Sequence, residues 1–95
     1  MTIETKVWDA ADHLKTQEDI VEYLDAALED GDSAVIAIAL GNVARAKGMT
    51  DVARESGLSR ESLYKSLGED GNPRLDTLMR VLKAVGVQLS ARPAA

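Results

Sequence analysis

The sequence predicts an all-α fold of five helices, and three observations predict it. Helix start and stop residues recur in order along the chain, and apolar residues fall at three- and four-residue spacing between them. The 95 residues also include no Phe, one Trp and two Tyr, so the core must be built from Ala, Val, Ile and Leu, which favours closely packed helices. A chain of this length buries only about 60 to 65% of the surface that its unfolded form exposes, which leaves room for one core. We divide it into an arm at 1–15, a single helical domain at 16–91 and a tail at 92–95.

The first helix is expected over 17–30. Thr16 with Asp19 three residues on forms a capping box, and the stripe Ile20, Val21, Leu24, Leu28 follows until Glu29, Asp30 and Gly31. Asp32 caps a second helix whose front half, 34–40, is apolar all round and is therefore expected in the middle of the fold; Arg45 and Lys47 suit its C-terminal dipole, and Gly48 ends it. Thr50 is expected to cap a third helix that runs to Ser56 and is closed by Gly57. Ser59 caps a fourth, to Leu67, closed by Gly68. After a turn at Gly71, Asn72 and Pro73, the residues Leu75, Leu78, Met79, Leu82 and Val85 mark a fifth helix that ends at Gly86.

The ends are less regular. Residues 87–91 alternate apolar and polar like a short strand, whose partner is either the extended stretch near Ile3 or the same strand of a second subunit. Arg92, Pro93, Ala94 and Ala95 read as a frayed tail, and Asp9 as the cap of a short helical turn through Leu14.

Several function classes are disfavoured. The absence of cysteine removes disulfides and thiolate metal sites, and with His13 as the only histidine there is no metal-ligand cluster and no glycine-rich phosphate loop. We expect no enzyme, no cofactor and no metal; His13 reads as a surface or arm residue. The longest apolar run, 34–40, is far short of the roughly 18 residues a membrane helix needs. Glu4, Asp9 and Asp12 stand where a signal peptide would be apolar. The chain therefore reads as soluble and cytoplasmic, with no membrane partner.

The strongest motif spans 49–67. Two short helices meeting at a steep angle need a small residue at their contact, a residue that tolerates positive φ at the turn, and apolar residues that lock the second helix down. Ala53, Gly57, and then Leu58 and Leu63 supply these in order, with Leu67 taking over the packing that Ser66 does not provide. An ordinary helical hairpin would show the same spacing. Read as a helix-turn-helix, the fourth helix enters the DNA major groove with its N-terminal end toward the bases. Arg60 then binds guanine O6 and N7, Glu61 accepts from cytosine N4 or orients Arg60, and Ser59 offers its hydroxyl and helix-start amide to phosphate. Thr50, Ser62 and Lys65 complete the DNA-facing set. Tyr64 is either a backbone contact or half-buried core, and each charge here would otherwise be a solvated surface group. Glu69 and Asp70 would repel phosphate, so their loop should point away. One such module contacts too little DNA, so a homodimer spanning half-sites about 34 Å apart is expected.

The net charge of −5 argues against nucleic acid until it is divided. Ten of the sixteen acids lie in residues 1–32 beside Lys6 and Lys15, whereas residues 33–95 hold nine bases and six acids. An acidic front joined to a mildly basic back suggests two partners of different kind.

The order Trp8-Asp9-Ala10-Ala11, Glu29-Asp30-Gly31-Asp32, Leu40-Gly41-Asn42-Val43-Ala44-Arg45-Ala46-Lys47-Gly48-Met49, Gly57-Leu58-Ser59-Arg60-Glu61-Ser62-Leu63-Tyr64 and Gly71-Asn72-Pro73 resembles the addiction-module antidote proteins. These are HigA-like antitoxins of type II toxin-antitoxin pairs with a phage-repressor (Xre/Cro) type helix-turn-helix. The resemblance covers nearly the whole chain and is most specific from Gly57 to Pro73. It implies a lambda-repressor-like domain that neutralises a cognate toxin of the RelE/ParE-like superfamily, usually a small basic ribonuclease, and represses its own operon.

The acidic front agrees with such a partner. Glu18, Glu22, Asp25 and Glu29 line one helical face opposite the apolar stripe, and their mutual repulsion would be relieved by a cationic protein. A merely solvated face reads equally well. Trp8, with Ile3, Val7 and Leu14, either anchors in that partner or pins the arm to its own core. A free-standing repressor without a toxin, or a helical protein-interaction adaptor that never meets DNA, are the competing readings.

Overall fold

A computed structural model describes residues 13–94, which form five α-helices and no strand. We number them α1 (Gln17–Asp30), α2 (Ser33–Lys47), α3 (Met49–Ser56), α4 (Arg60–Ser66) and α5 (Leu75–Ala84). The Asp9 turn and Trp8 lie outside the described residues.

The α1 cap forms as the sequence specifies. The Thr16 hydroxyl accepts from the Asp19 N–H at 3.0 Å while the Asp19 carboxylate accepts from the Thr16 N–H at 3.1 Å, so two orphan donors are satisfied reciprocally. At the start of α2 the Asp32 carboxylate accepts from the Ala34 N–H at 2.8 Å. From there α2 runs through the molecule, touching α1, α3, α4 and α5. Its front half departs from expectation: Val35 and Ile38 are 40% and 37% exposed, because they border an open groove beside α1 that no described residue fills.

The start of α3 also differs. Gly48, at φ 108°, is at once the C-cap of α2 and the N-cap of α3, and no side chain caps the new helix. Thr50 is therefore an exposed residue in the first turn and not the cap. The physical reason is that one residue with positive φ redirects the chain while Met49, 7% exposed, drops straight into the core. At the far end of α4 the C-cap is Leu67 at φ −110°, and Gly68 is not left-handed; burial of Leu67, 1% exposed, closes that helix in place of a glycine.

The ending of α5 agrees with expectation. The Gly86 N–H donates to the Lys83 carbonyl and the Val87 N–H to the Leu82 carbonyl, satisfying orphan carbonyls of the last turn. Residues 87–91 form no strand in the single chain, and the stretch near Ile3 expected as one partner lies outside the described residues. No neighbouring strand stands beside this segment among the described residues, and Val87 and Leu89 pack instead against the hydrophobic core. Nor does Arg92 fray: its guanidinium donates to the Asp25 carboxylate at 2.8 Å, while the Gln17 side-chain amide holds the Val85 carbonyl at 2.9 Å.

The core is aliphatic, as the lack of Phe requires. Leu24, Leu40, Val43, Val52, Leu63, Leu67, Val81, Leu82 and Val85 are almost completely buried, each such side chain contributing about 1.5–3 kcal/mol of transfer free energy. No buried side-chain polar atom among the described residues lacks a hydrogen bond.

Candidate functional site

Two surfaces gather the residues singled out above. The first is built on α3, the turn of Gly57, Leu58 and Ser59, and α4. Gly57 turns the chain at φ 76°, its N–H donating to the Ala53 carbonyl at 3.0 Å. The Leu58 N–H donates to that same carbonyl at 3.2 Å and to the Ser56 hydroxyl at 3.3 Å, and Ser56 in turn donates back to Ala53. Ser56, 7% exposed, thus braces the turn from inside, a role that sequence reasoning missed. A serine at a helix end beside Gly57 was the available signal, hidden because serine there usually faces water. Ala53 and Leu63 are buried and Leu58 is half-buried, which clamps α4 against the domain.

With Leu63 and Leu67 turned inward, Ser59, Arg60, Glu61, Ser62, Tyr64 and Lys65 are all exposed. The Ser59 hydroxyl oxygen accepts from the Ser62 N–H at 3.0 Å, capping α4 and leaving its hydrogen free to donate. The Arg60 guanidinium lies over the Tyr64 ring, 5.9 Å from its centroid, and does not pair with Glu61. Such an exposed cation–π contact is worth about 0.5–1 kcal/mol, enough to bias Arg60 and too little to hold it against a better partner. Tyr64 is 48% exposed, so it belongs to this surface and not to the core. Thr50 is exposed on α3, and Glu69 and Asp70 are exposed in the loop after α4.

The second surface is the outward side of α1. Glu18, Glu22, Asp25 and Glu29 are all exposed there, opposite the buried Ile20, Leu24 and Ala27. No base stands in the last turn, so Glu29 meets the negative end of the helix dipole uncompensated by its own helix. Asp25 is partly satisfied by Arg92, with both side chains more than half exposed. Among the described residues no cluster of three or more His, Asp and Glu side chains is arranged to hold a metal ion. No described helix is long and apolar enough to cross a membrane.

A Haemophilus influenzae protein described as an uncharacterized protein is 42% identical over 92 residues, covering 97% of this chain and 95% of its own length. No solved structure matches the chain. A family model described as "Probable addiction module antidote protein" matches residues 4–93, nearly the full length, and the chain belongs to that family.

Proposed function

We propose that the chain is the antitoxin of a type II toxin-antitoxin pair, which binds and neutralises a basic toxin of the RelE/ParE-like superfamily and represses its own operon as a homodimer on DNA. The observation that carries this reading is membership of an antidote family over residues 4–93, since an antidote implies a toxin. Antidote families are typically non-enzymatic, and the chain acts by binding.

The α3–turn–α4 unit supports the DNA half of the reading, as a helix-turn-helix in a lambda-repressor-like domain. A seven-residue α4 that exposes a continuous polar face suits the major groove. Arg60 would leave the Tyr64 ring for guanine O6 and N7, with Glu61 reading cytosine N4 beside it. Ser59, through its free hydroxyl hydrogen, and Thr50, Ser62, Tyr64 and Lys65 would hold the flanking phosphates. A domain of 35 × 32 × 26 Å is of a size compatible with a homodimer on half-sites one helical turn of DNA apart, roughly 34 Å. The acidic face of α1, Glu18, Glu22, Asp25 and Glu29, supports the toxin half by charge, with Trp8 as an arm contact.

The test has two arms. Fluorescence anisotropy with a duplex from upstream of the gene should show binding that weakens steeply with salt, and Arg60→Ala should cost about 1–3 kcal/mol of sequence discrimination. Binding that is absent or indifferent to salt refutes the repressor role. Co-expression with the product of the adjacent reading frame should yield a complex; without one, the antitoxin role fails.

A further inference from the structure

Val35 and Ile38 are one helical turn apart and exposed on α2, and they face Tyr23, Ala26 and Asp30 across a groove between α1 and α2. Isolated exposed apolar residues are unremarkable, but these adjoin one another and form the wall of a single apolar depression. Their type sharpens the point. β-branched residues restrict χ1 and are poorer helix formers than Ala, Glu or Lys, so at positions left 40% and 37% open they lower helix propensity while part of their apolar surface stays in water.

The floor of the groove is held in place. The Tyr23 hydroxyl accepts from the Asn42 side-chain amide at 2.8 Å, and the Asn42 carbonyl oxygen accepts from Arg45 at 3.1 Å. Tyr23 is thereby held half-buried at the end of the groove nearest Asn42, so an incoming group meets a preorganised surface. The charge around it is one-sided. From residue 17 to residue 44 the chain carries seven acids and no base. Asp30 stands in the groove itself, and Glu22, exposed on the outward acidic face, is one helical turn before the groove residue Ala26. Arg45 lies past the Tyr23 end and is turned onto Asn42.

We infer that this groove is the anchoring site for the toxin, and that its occupant is an amphipathic helix of that basic protein whose apolar ridge seats on Val35, Ile38 and Tyr23 while flanking Lys or Arg side chains meet Glu22 and Asp30. The inference rests on the proposed antitoxin role and moves the main contact from the outward stripe into the α1–α2 valley. An apolar centre excludes water and supplies most of the binding free energy, and the surrounding charges select a cationic partner and speed its approach.

The experiment measures the affinity of the full chain for the co-expressed product of the adjacent reading frame, by calorimetry on the separated and recombined proteins. Ile38→Asp places a charge in the groove, and Ala26→Trp fills it without one. Each should weaken binding at least 30-fold while far-UV circular dichroism remains that of the unsubstituted chain, and Ala26→Trp, at an exposed position, should also keep its thermal midpoint. If both variants bind within about threefold of the unsubstituted chain, the groove is not the site and the antitoxin reading stands. If the unsubstituted chain forms no complex, the antitoxin reading falls and the groove assignment falls with it.

Discussion

Gly41→Ala separates two physical effects by sign. Gly41 sits in the interior of α2, where replacing glycine with alanine ordinarily stabilises a helix by about 1 kcal/mol. Here a Cβ would be driven against the Leu67 carbonyl oxygen, with the carbonyl carbon 3.5 Å away behind it and the Arg45 guanidinium at 3.4 Å. That neighbour cannot rotate away, because it is backbone. Leu67 is 1% exposed and its N–H is bonded to Leu63 at 2.9 Å, so relief requires moving the end of α4 as a body. Overpacking of this kind costs about 1–3 kcal/mol, and an unyielding backbone neighbour puts it at the upper end. Less the propensity gain, the net destabilisation is about 2 kcal/mol. For a domain of this size that lowers the midpoint by roughly 8–16 °C, read by thermal unfolding in far-UV circular dichroism. Operator affinity should fall as well, since α4 carries the proposed reading residues. A midpoint equal to or above that of the unsubstituted chain would show that α2 and α4 do not approach as closely as described, and would refute the argument.

Three further outcomes follow from the same geometry. Hydrogen bonding to the Thr16 backbone N–H, with help from the Thr16 hydroxyl and the Lys15 N–H, holds the Asp19 carboxyl below the ordinary aspartate range. Its contribution is present above the unfolded pKa of about 3.9 and is lost as pH falls through the lower folded value, so the midpoint gap between the unsubstituted chain and Asp19→Asn should close on acidification from about pH 5. A gap that stays constant with pH would contradict this. Tyr23→Phe deletes the 2.8 Å bond from Asn42 at a part-buried position and should cost about 1 kcal/mol in urea unfolding, with no change in m-value. Arg92→Ala breaks an ion pair whose partners are 64% and 52% exposed, so solvent screening limits the loss to under about 1 kcal/mol; a loss above 2 kcal/mol would mean that residues 87–94 hold the core in place.

What the sequence determined by itself was what local chemistry determines. The Thr16–Asp19 capping box, the Asp32 and Ser59 caps, the Gly57 turn and the aliphatic core involve residues within five positions of each other, or composition alone, so their physics is complete before the chain folds. The outward placement of Ser59, Arg60, Glu61, Ser62 and Lys65 followed from Leu63 as the buried position. Tertiary structure decided the rest. Whether Thr50 or Gly48 begins α3 depends on the direction that helix must take to bury Met49. Residues 87–91 have the alternation of a strand, but a strand needs a neighbour to complete its hydrogen bonds, and among the described residues the segment lies beside side chains of α1 instead. The bond from Arg92 to Asp25 joins residues 67 positions apart, and no local pattern could have announced it. The run 34–40 shows the same limit: its apolar character is written in the sequence, but exposure depends on which helices arrive to cover it. The described helices cover the back of α2 and leave Val35 and Ile38 open.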